Sequence, residues 1–306
     1  MTDESMRTQA LRPSGRERLW TPWRMRYIAS GTSSSSSSER ESGCVFCNRL
    51  ARRDDVDSLI LHRGEHAFVI MNLFPYNSGH IMILPNAHVD DPTALDAATV
   101  QEMAGLMPVC VRALRRVFAC QGFNIGYNVG SAAGAGIAEH LHQHIVPRWN
   151  GDANFMPVLA STIAMPELIP ASYAKIRAEL ERELHGTATA RVVLLANDDR
   201  EVLAQDGRLP LVTPEADQPV WRAAITPFRG WVDEIEIAGW GGATNTREEP
   251  RQTAIVLRGD PHRNAMPEGF TTLAVDSASL TDDDRAILDR AMAQLAPSIA
   301  EPPYLA

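Results

Sequence analysis

No apolar run in this 306-residue chain approaches the about 18–20 residues that a membrane-spanning helix needs. A bilayer is therefore not an expected partner. Residues 1–20, MTDESMRTQALRPSGRERLW, carry no apolar stretch of the kind found in a secretory signal. Cysteine is scarce, and four in a chain of this length do not make a disulfide framework. A basic excess is missing too: 29 Lys and Arg face 38 Asp and Glu, for a formal net charge of −9. General nucleic-acid binders show a basic face, so nucleic acid is not expected as a partner. A small anionic substrate stays open, because a pocket can be locally positive inside an acidic protein. These absences describe a cytoplasmic chain. Its 44% apolar and 22% charged content is that of a soluble globular protein, and its length allows two domains.

The most informative stretch that is present is EHLHQHIVPRWNGDANF, residues 139–155. His140, His142 and His144 alternate with Leu141 and Gln143, and Ile145 and Val146 follow. A period of two closed by branched residues reads as a β-strand, on which residues i, i+2 and i+4 share a face. One such face can hold a nucleophile, a metal ligand and a hydrogen-bonding partner close together. The bland alternative is a solvated His-rich tract. Such tracts lack the glycine-rich run SAAGAGIAEH that leads into this strand. Gly130, Gly134 and Gly136 let backbone N–H groups approach an anion, as phosphate-binding loops do.

Elsewhere the chain divides by composition. Residues 1–43 are expected to be a flexible segment that includes the Ser-rich linker 33–38. Within it LWTPWRMRYI, residues 19–28, is an aromatic and basic cluster suited to docking on a core or a partner. Cys44 and Cys47 then stand at C-x2-C spacing, which is half of a zinc site and needs two more ligands. His88 and His140 are candidates; a redox pair or two unrelated thiols are the alternatives. Residues 59–84 read as a hairpin, with HAFVIM and HIMILP joined by a turn over 75–79, and His80 as a turn residue at its end. A helix is expected over residues 92–119, with Thr93 as N-cap, Pro108 as a kink, and Cys110 and Cys120 packed in the core. Another helix should close on Gly186. Residues 190–306 restart with short strands and end in a helix capped by Ser279 or Thr281, a smaller α+β unit without a catalytic constellation.

Four stretches, LWTPWRMRYI, the C-x2-C knuckle, FVIMNLFPYNSGHIMILPNAH and GAGIAEHLHQHIVPRWNGDANFMPV, together resemble the histidine-triad (HIT) family. The likeness is to its bacterial branch related to diadenosine tetraphosphate hydrolases and phosphorylases, and it covers residues 18–187. It implies an α+β fold in which residues 44–187 form an antiparallel sheet with helices, usually as a homodimer. It implies nucleotide phosphoanhydride cleavage of a dinucleoside polyphosphate, with His142 as the attacking group and a nucleotidyl-histidine intermediate. His144 would contact the phosphate and Asn72 the ribose. Asn128, Ser131, Gly134, Ala135 and Gly136 would complete the nucleotide site. The zinc-containing members use positions that here are Cys44, Cys47, His88 and His140, for structural zinc. Where many members carry Gln-Ser or Gln-Thr before the triad, this chain has Gly136 and Ile137. The competing function is a non-catalytic nucleotide- and zinc-binding scaffold. Residues 221–237, WRAAITPFRGWVDEIEI, also faintly echo the hairpin, as a degenerate second half would.

Overall fold

The computed structural model describes residues 43–152, 167–186, 189–244, 252–276 and 279–295. The aromatic cluster at 19–28, the linker at 33–38 and the end of the triad block at 153–155 lie outside the described residues. Gly151 and Asp152 apart, the described residues belong to one compact unit. None of their helices is long and apolar enough to cross a membrane.

The unit holds two sheets. The first is built from β1 (Ile60–Arg63), β2 (Ala67–Met71), β3 (Ile81–Pro85), β4 (Gly122–Tyr127) and β5 (Gln143–Arg148), in the order β1-β2-β3-β5-β4. Every neighbouring pair is antiparallel. The expected hairpin is present, with Ala67 opposite Pro85 and Met71 opposite Ile81. AFVIM and IMILP are buried along their whole length, which explains why both read as unbroken apolar runs.

Before β1 lies α1 (Val45–Ala51), and between β3 and β4 lies α2 (Ala97–Phe118). The second of these places Thr99, Met103, Leu106, Cys110, Ala113, Leu114 and Val117 inward, at the three- and four-residue spacing of a helix face. It runs as one helix through Pro108. Its N-cap is Asp96, whose carboxylate accepts from the Thr99 N–H at 2.7 Å, not Thr93. Thr93 sits in a separate 3₁₀ turn, Pro92–Ala94, capped by Asp91. Both capping groups are Asp residues two or three positions before a free backbone N–H, a geometry that a carboxylate fills better than Thr at the same place. Cys110 and Cys120 are buried as expected, and burial pushes the Cys110 thiol up to about 12.

The helix α3 (Ile169–His185) ends on Gly186 in the left-handed region, as expected. It packs on β1 through the hydrogen bond from Tyr173 Oη to the Ile60 carbonyl, 2.7 Å. The same face meets the second sheet, where the Tyr173 ring lies 6.4 Å and the Arg177 guanidinium 4.8 Å from the Trp240 ring.

That second sheet contains β6 (Ala190–Ala196), β7 (Glu201–Gln205), β8 (Leu211–Val212), β9 (Val232–Thr244), β10 (Gln252–Pro261) and β11 (Phe270–Ala274). Its order is β11-β7-β6-β10-β9, with β8 beside β6. The helices α4 (Val220–Ile225) and α5 (Asp282–Leu295) cover it, and Thr281 caps the latter by accepting from the Asp284 N–H at 3.3 Å. The expected echo of the first hairpin fails here. VWRAAI is helix rather than strand, and β10 runs parallel to β6, a pairing that the first sheet lacks. The chain is thus an α+β protein with two differently connected sheets.

Candidate functional site

The triad segment enters the sheet later than its alternation suggests. Pairing starts at Gln143, opposite Ile83 and Tyr127, so His140, at a bend, and His142 lie in an irregular segment ahead of β5. On one side the neighbour is exhausted, since β4 ends at Tyr127, opposite Gln143; on the other β3 continues to Pro85, whose carbonyl meets the His140 ring instead of the backbone of the triad segment. The run is held instead by the Leu141 N–H donating to the Val89 carbonyl at 2.6 Å. All three imidazoles are nevertheless buried.

His140 turns towards the knuckle. Cys44 is the N-cap position of α1 and Cys47 lies one turn on, which brings both thiols to one side of the helix start. The His140 Nδ1 lies 3.4 Å from Cys44 Sγ and 3.5 Å from Cys47 Sγ, and His88 Nδ1 lies 3.4 Å from Cys47 Sγ. The four potential ligand atoms all fall within 4.8 Å of one another. A tetrahedron with metal–ligand bonds of about 2.0–2.3 Å has edges of roughly 3.3–3.8 Å, so the donor set fits zinc in chemistry and in its three separations of 3.4–3.5 Å, while the widest would close on binding. The His140 Nε2–H donates to the Pro85 carbonyl at 3.0 Å, which leaves the Nδ1 lone pair facing the thiols. Burial, reinforced by Cys44, raises the Cys47 thiol above its usual range, so metal binding would have to displace its proton.

His142 and His144 face each other, with ring centroids 4.8 Å apart. The His142 Nδ1–H donates to the backbone carbonyl of His140 at 2.7 Å, which places the lone pair on Nε2. Burial lowers the His142 pKa, so this lone pair is available at neutral pH. Phe46 on α1 sits against both His140 and His142, at 5.6 and 5.5 Å between centroids.

A fourth histidine completes the group. His80 is fully buried, and its Nδ1 accepts from the Tyr76 backbone N–H at 3.1 Å. Its Nε2–H therefore donates to His144 Nδ1, 2.9 Å away. His144 in turn carries its proton on Nε2, which faces Asn128 Nδ2 at 3.3 Å; accepting that proton would require the amide to flip and present its oxygen. The reading of His80 as a turn residue missed this. The available signal was a polar residue opening an otherwise apolar, wholly buried strand, where an imidazole needs partners. Gly79 just before it has φ of +75°, and a Cβ there would meet the Phe118 ring at 2.4 Å. Glycine is required at that approach.

Burial, with His144 and His142 nearby, holds His80 down to about 3 from an ordinary 6.5. The unfolded chain binds this proton near 6.5 and the folded chain only near 3, so stability is complete above about 6.5 and falls as pH drops through that window. Urea unfolding between pH 6 and 4 is expected to lose ~1.3 kcal/mol per pH unit from this group, and almost nothing above pH 7. His80→Gln should show a shallower loss over the same range.

The structure thus brings together Cys44, Cys47, His88 and His140 in one cluster, and His142, His144 and Asn128 in another, with His80 behind them. Asn72 joins through an Nδ2 contact of 3.3 Å to His80, while its Oδ1 accepts from the Phe74 N–H. Gly134, Ala135 and Gly136 lie on the largely exposed loop before His140, and Ser131 opens a 3₁₀ turn within it.

Residues 53–151 match the HIT domain family. An AP-4-A phosphorylase of Mycobacterium tuberculosis is 35% identical over 153 residues, which are 50% of this chain and 78% of the relative. An adenylylsulfatase of Arabidopsis thaliana, HINT3, is 30% identical over 124 residues, 40% of this chain and 61% of the relative. Among solved structures, a zinc-bound histidine triad family protein of Mycobacterium smegmatis is 28% identical, with a TM-score of 0.38 over 46% of this chain and 94% of the other. With two hydrogen-bonded histidine pairs meeting at the His142–His144 ring contact, and this identity across most of a relative's length, the chain belongs to the HIT family.

Proposed function

We propose that the protein cleaves a dinucleoside polyphosphate of the diadenosine tetraphosphate kind by nucleotidyl transfer through His142, with inorganic phosphate as the second acceptor. The observation that carries this reading is the His142 Nδ1–H bonded to the His140 carbonyl, with Nε2 left as a buried, neutral nucleophile. Nε2 attacks the α-phosphorus and the bond to the bridging oxygen breaks, which releases a nucleoside polyphosphate. The positive charge that develops on the ring is stabilised through Nδ1–H and the His140 carbonyl. The leaving oxygen takes the proton from His144 Nε2, whose tautomer the His80 contact supplies. Phosphate oxygen then attacks the same phosphorus from the other side, restores His142 and yields a nucleoside diphosphate. Splitting one displacement into two in this way is the advantage of a nucleophilic imidazole.

Asn72, Asn128 and the N–H groups of residues 131–136 are assigned to the nucleotide, the last to its non-bridging oxygens. Cys44, Cys47, His88 and His140 would hold zinc with all four positions filled, a structural ion that pins His140. We place the protein in the cytoplasm, where such thiols stay reduced. We further propose a homodimer through β4, the outer strand of the first sheet, on which Ile125 and Tyr127 are exposed. Sedimentation should give a dimer for the native chain and a monomer for Ile125→Glu.

Product analysis with diadenosine tetraphosphate tests the reaction. ADP plus ATP appearing only when phosphate is added is expected. AMP plus ATP in plain buffer would make the protein a hydrolase. Tight AMP binding with no turnover across nucleotidyl conjugates would favour the scaffold reading.

A further inference from the structure

Four of the residues that shape the reacting face sit in one turn, residues 72–80, and one of them has no assigned task. Tyr76 is 40% exposed, so core packing does not account for its ring. The ring lies nearly parallel to His144, at 28° and 5.7 Å between centroids, and 4.6 Å from His80. Its backbone N–H is the donor to His80 Nδ1. One residue therefore touches both members of the His80–His144 pair, by its backbone on one and by its ring on both.

The turn that carries Tyr76 is fastened on each side. The Asn72 N–H donates to the His80 carbonyl at 3.0 Å and the His80 N–H to the Asn77 carbonyl at 3.1 Å. The Asn77 side chain donates to the Pro147 carbonyl on β5 at 3.1 Å, which ties the turn to the strand of the triad. A ring on so fixed a mount can hold an imidazole against rotation, because turning His144 about its side chain would break the stack. Neutral hydrogen bonds alone fix only the edges of that ring; the stack fixes its plane.

We propose that Tyr76 is a positioning residue for the triad, acting through His80 and His144. Its backbone N–H sets the His80 tautomer and its ring holds the plane of His144, so that the Nε2–H points at the leaving oxygen. This rests on the nucleotidyl-transfer reading above. The aromatic ring, not the hydroxyl, carries the role.

The test compares the metal-loaded wild type with Tyr76→Phe, Tyr76→Leu and Tyr76→Trp. Two readouts are taken: kcat and KM on diadenosine tetraphosphate with phosphate, and the ring-nitrogen signals of the histidines by ¹⁵N NMR. Tyr76→Phe should stay within about twofold of the wild type, since the stack survives. Tyr76→Leu should lose about tenfold in kcat with KM nearly unchanged, because the interaction matters after binding. Its His144 nitrogen signals should move from those of a single tautomer towards exchange averages, while those of His80, held by the backbone N–H that Leu retains, stay put. Should Leu also lower the melting temperature, Tyr76→Trp restores a ring and must restore both readouts. Wild-type kcat and unshifted His144 nitrogens in Tyr76→Leu would overturn the proposal, as would a Tyr76→Phe variant as slow as Tyr76→Leu. A wild type that turns over no nucleotide would sink the reaction reading alone, and the NMR comparison would still decide the role of Tyr76.

Discussion

His142→Ala is expected to lower turnover of the dinucleoside polyphosphate by at least about 10³-fold, with nucleotide binding retained. Loss of an attacking side chain in other covalent mechanisms costs on the order of 10³–10⁶ in kcat. The low end suits this site because His144, Asn128 and the glycine loop would remain to bind phosphate. Folding should be preserved, since the His142 ring makes one hydrogen bond, to the His140 carbonyl, and otherwise touches Phe46 and His144. Quenched-flow product analysis and AMP titration by calorimetry check the two halves of this expectation. A variant with turnover within tenfold of the wild type would remove His142 from the role of nucleophile.

Cys47→Ser is expected to have the second largest effect, and on two properties at once. Cys47 lies within 3.5 Å of both candidate histidine ligands, so its loss leaves an open three-ligand site. Metal analysis should then fall from one zinc per chain to well below that. Melting should drop by about 10 °C, equivalent to ~3 kcal/mol at roughly 3 °C per kcal/mol for a chain of this size. Activity should fall by about 10–100-fold, the usual cost of disturbing the groups around a metal. The link is His140: its ring belongs to the metal cluster and its carbonyl holds the His142 Nδ1–H. A Cys47→Ser protein without zinc but with unchanged activity would show that the cluster and the triad are independent.

Much of this site was legible because its signals are local. Alternation of His with Leu and Gln over residues 140–144 marks the segment that carries the imidazoles, although only Gln143 and His144 of it are strand. C-x2-C spacing announces two thiols on one side. The apolar runs AFVIM and IMILP, separated by a turn with Pro and Gly, announce buried neighbours in a hairpin. The features that were missed depend on distant parts of the chain. The strand at the triad starts at Gln143 because β4 ends at its partner Tyr127 and the Pro85 carbonyl of β3 takes the His140 ring instead of a ladder bond, and alternation carries no information on where pairing ends. His80 looks like a turn residue until His144, 64 positions later, is seen beside it. Thr93 and Asp96 both suit a helix N-cap, and only the interposed 3₁₀ turn gives the position to Asp96. In the second sheet, the parallel pairing of β10 with β6 joins segments about sixty residues apart, from Ala190 opposite Thr253 onward. No local spacing encodes such a pairing, whereas VWRAAI and the strand β9 that follows it invite comparison with a hairpin.

The central claim is a covalent bond from His142 Nε2 to the α-phosphorus. Its most direct test is rapid alkaline quenching of the protein with diadenosine tetraphosphate in the absence of phosphate, followed by mass spectrometry of the peptide that spans His140 to His144. One adenylyl group is expected on His142, formed within a turnover, discharged on addition of phosphate and absent from His142→Ala. An active protein that never carries the group, or one that carries it unchanged in His142→Ala, would contradict it.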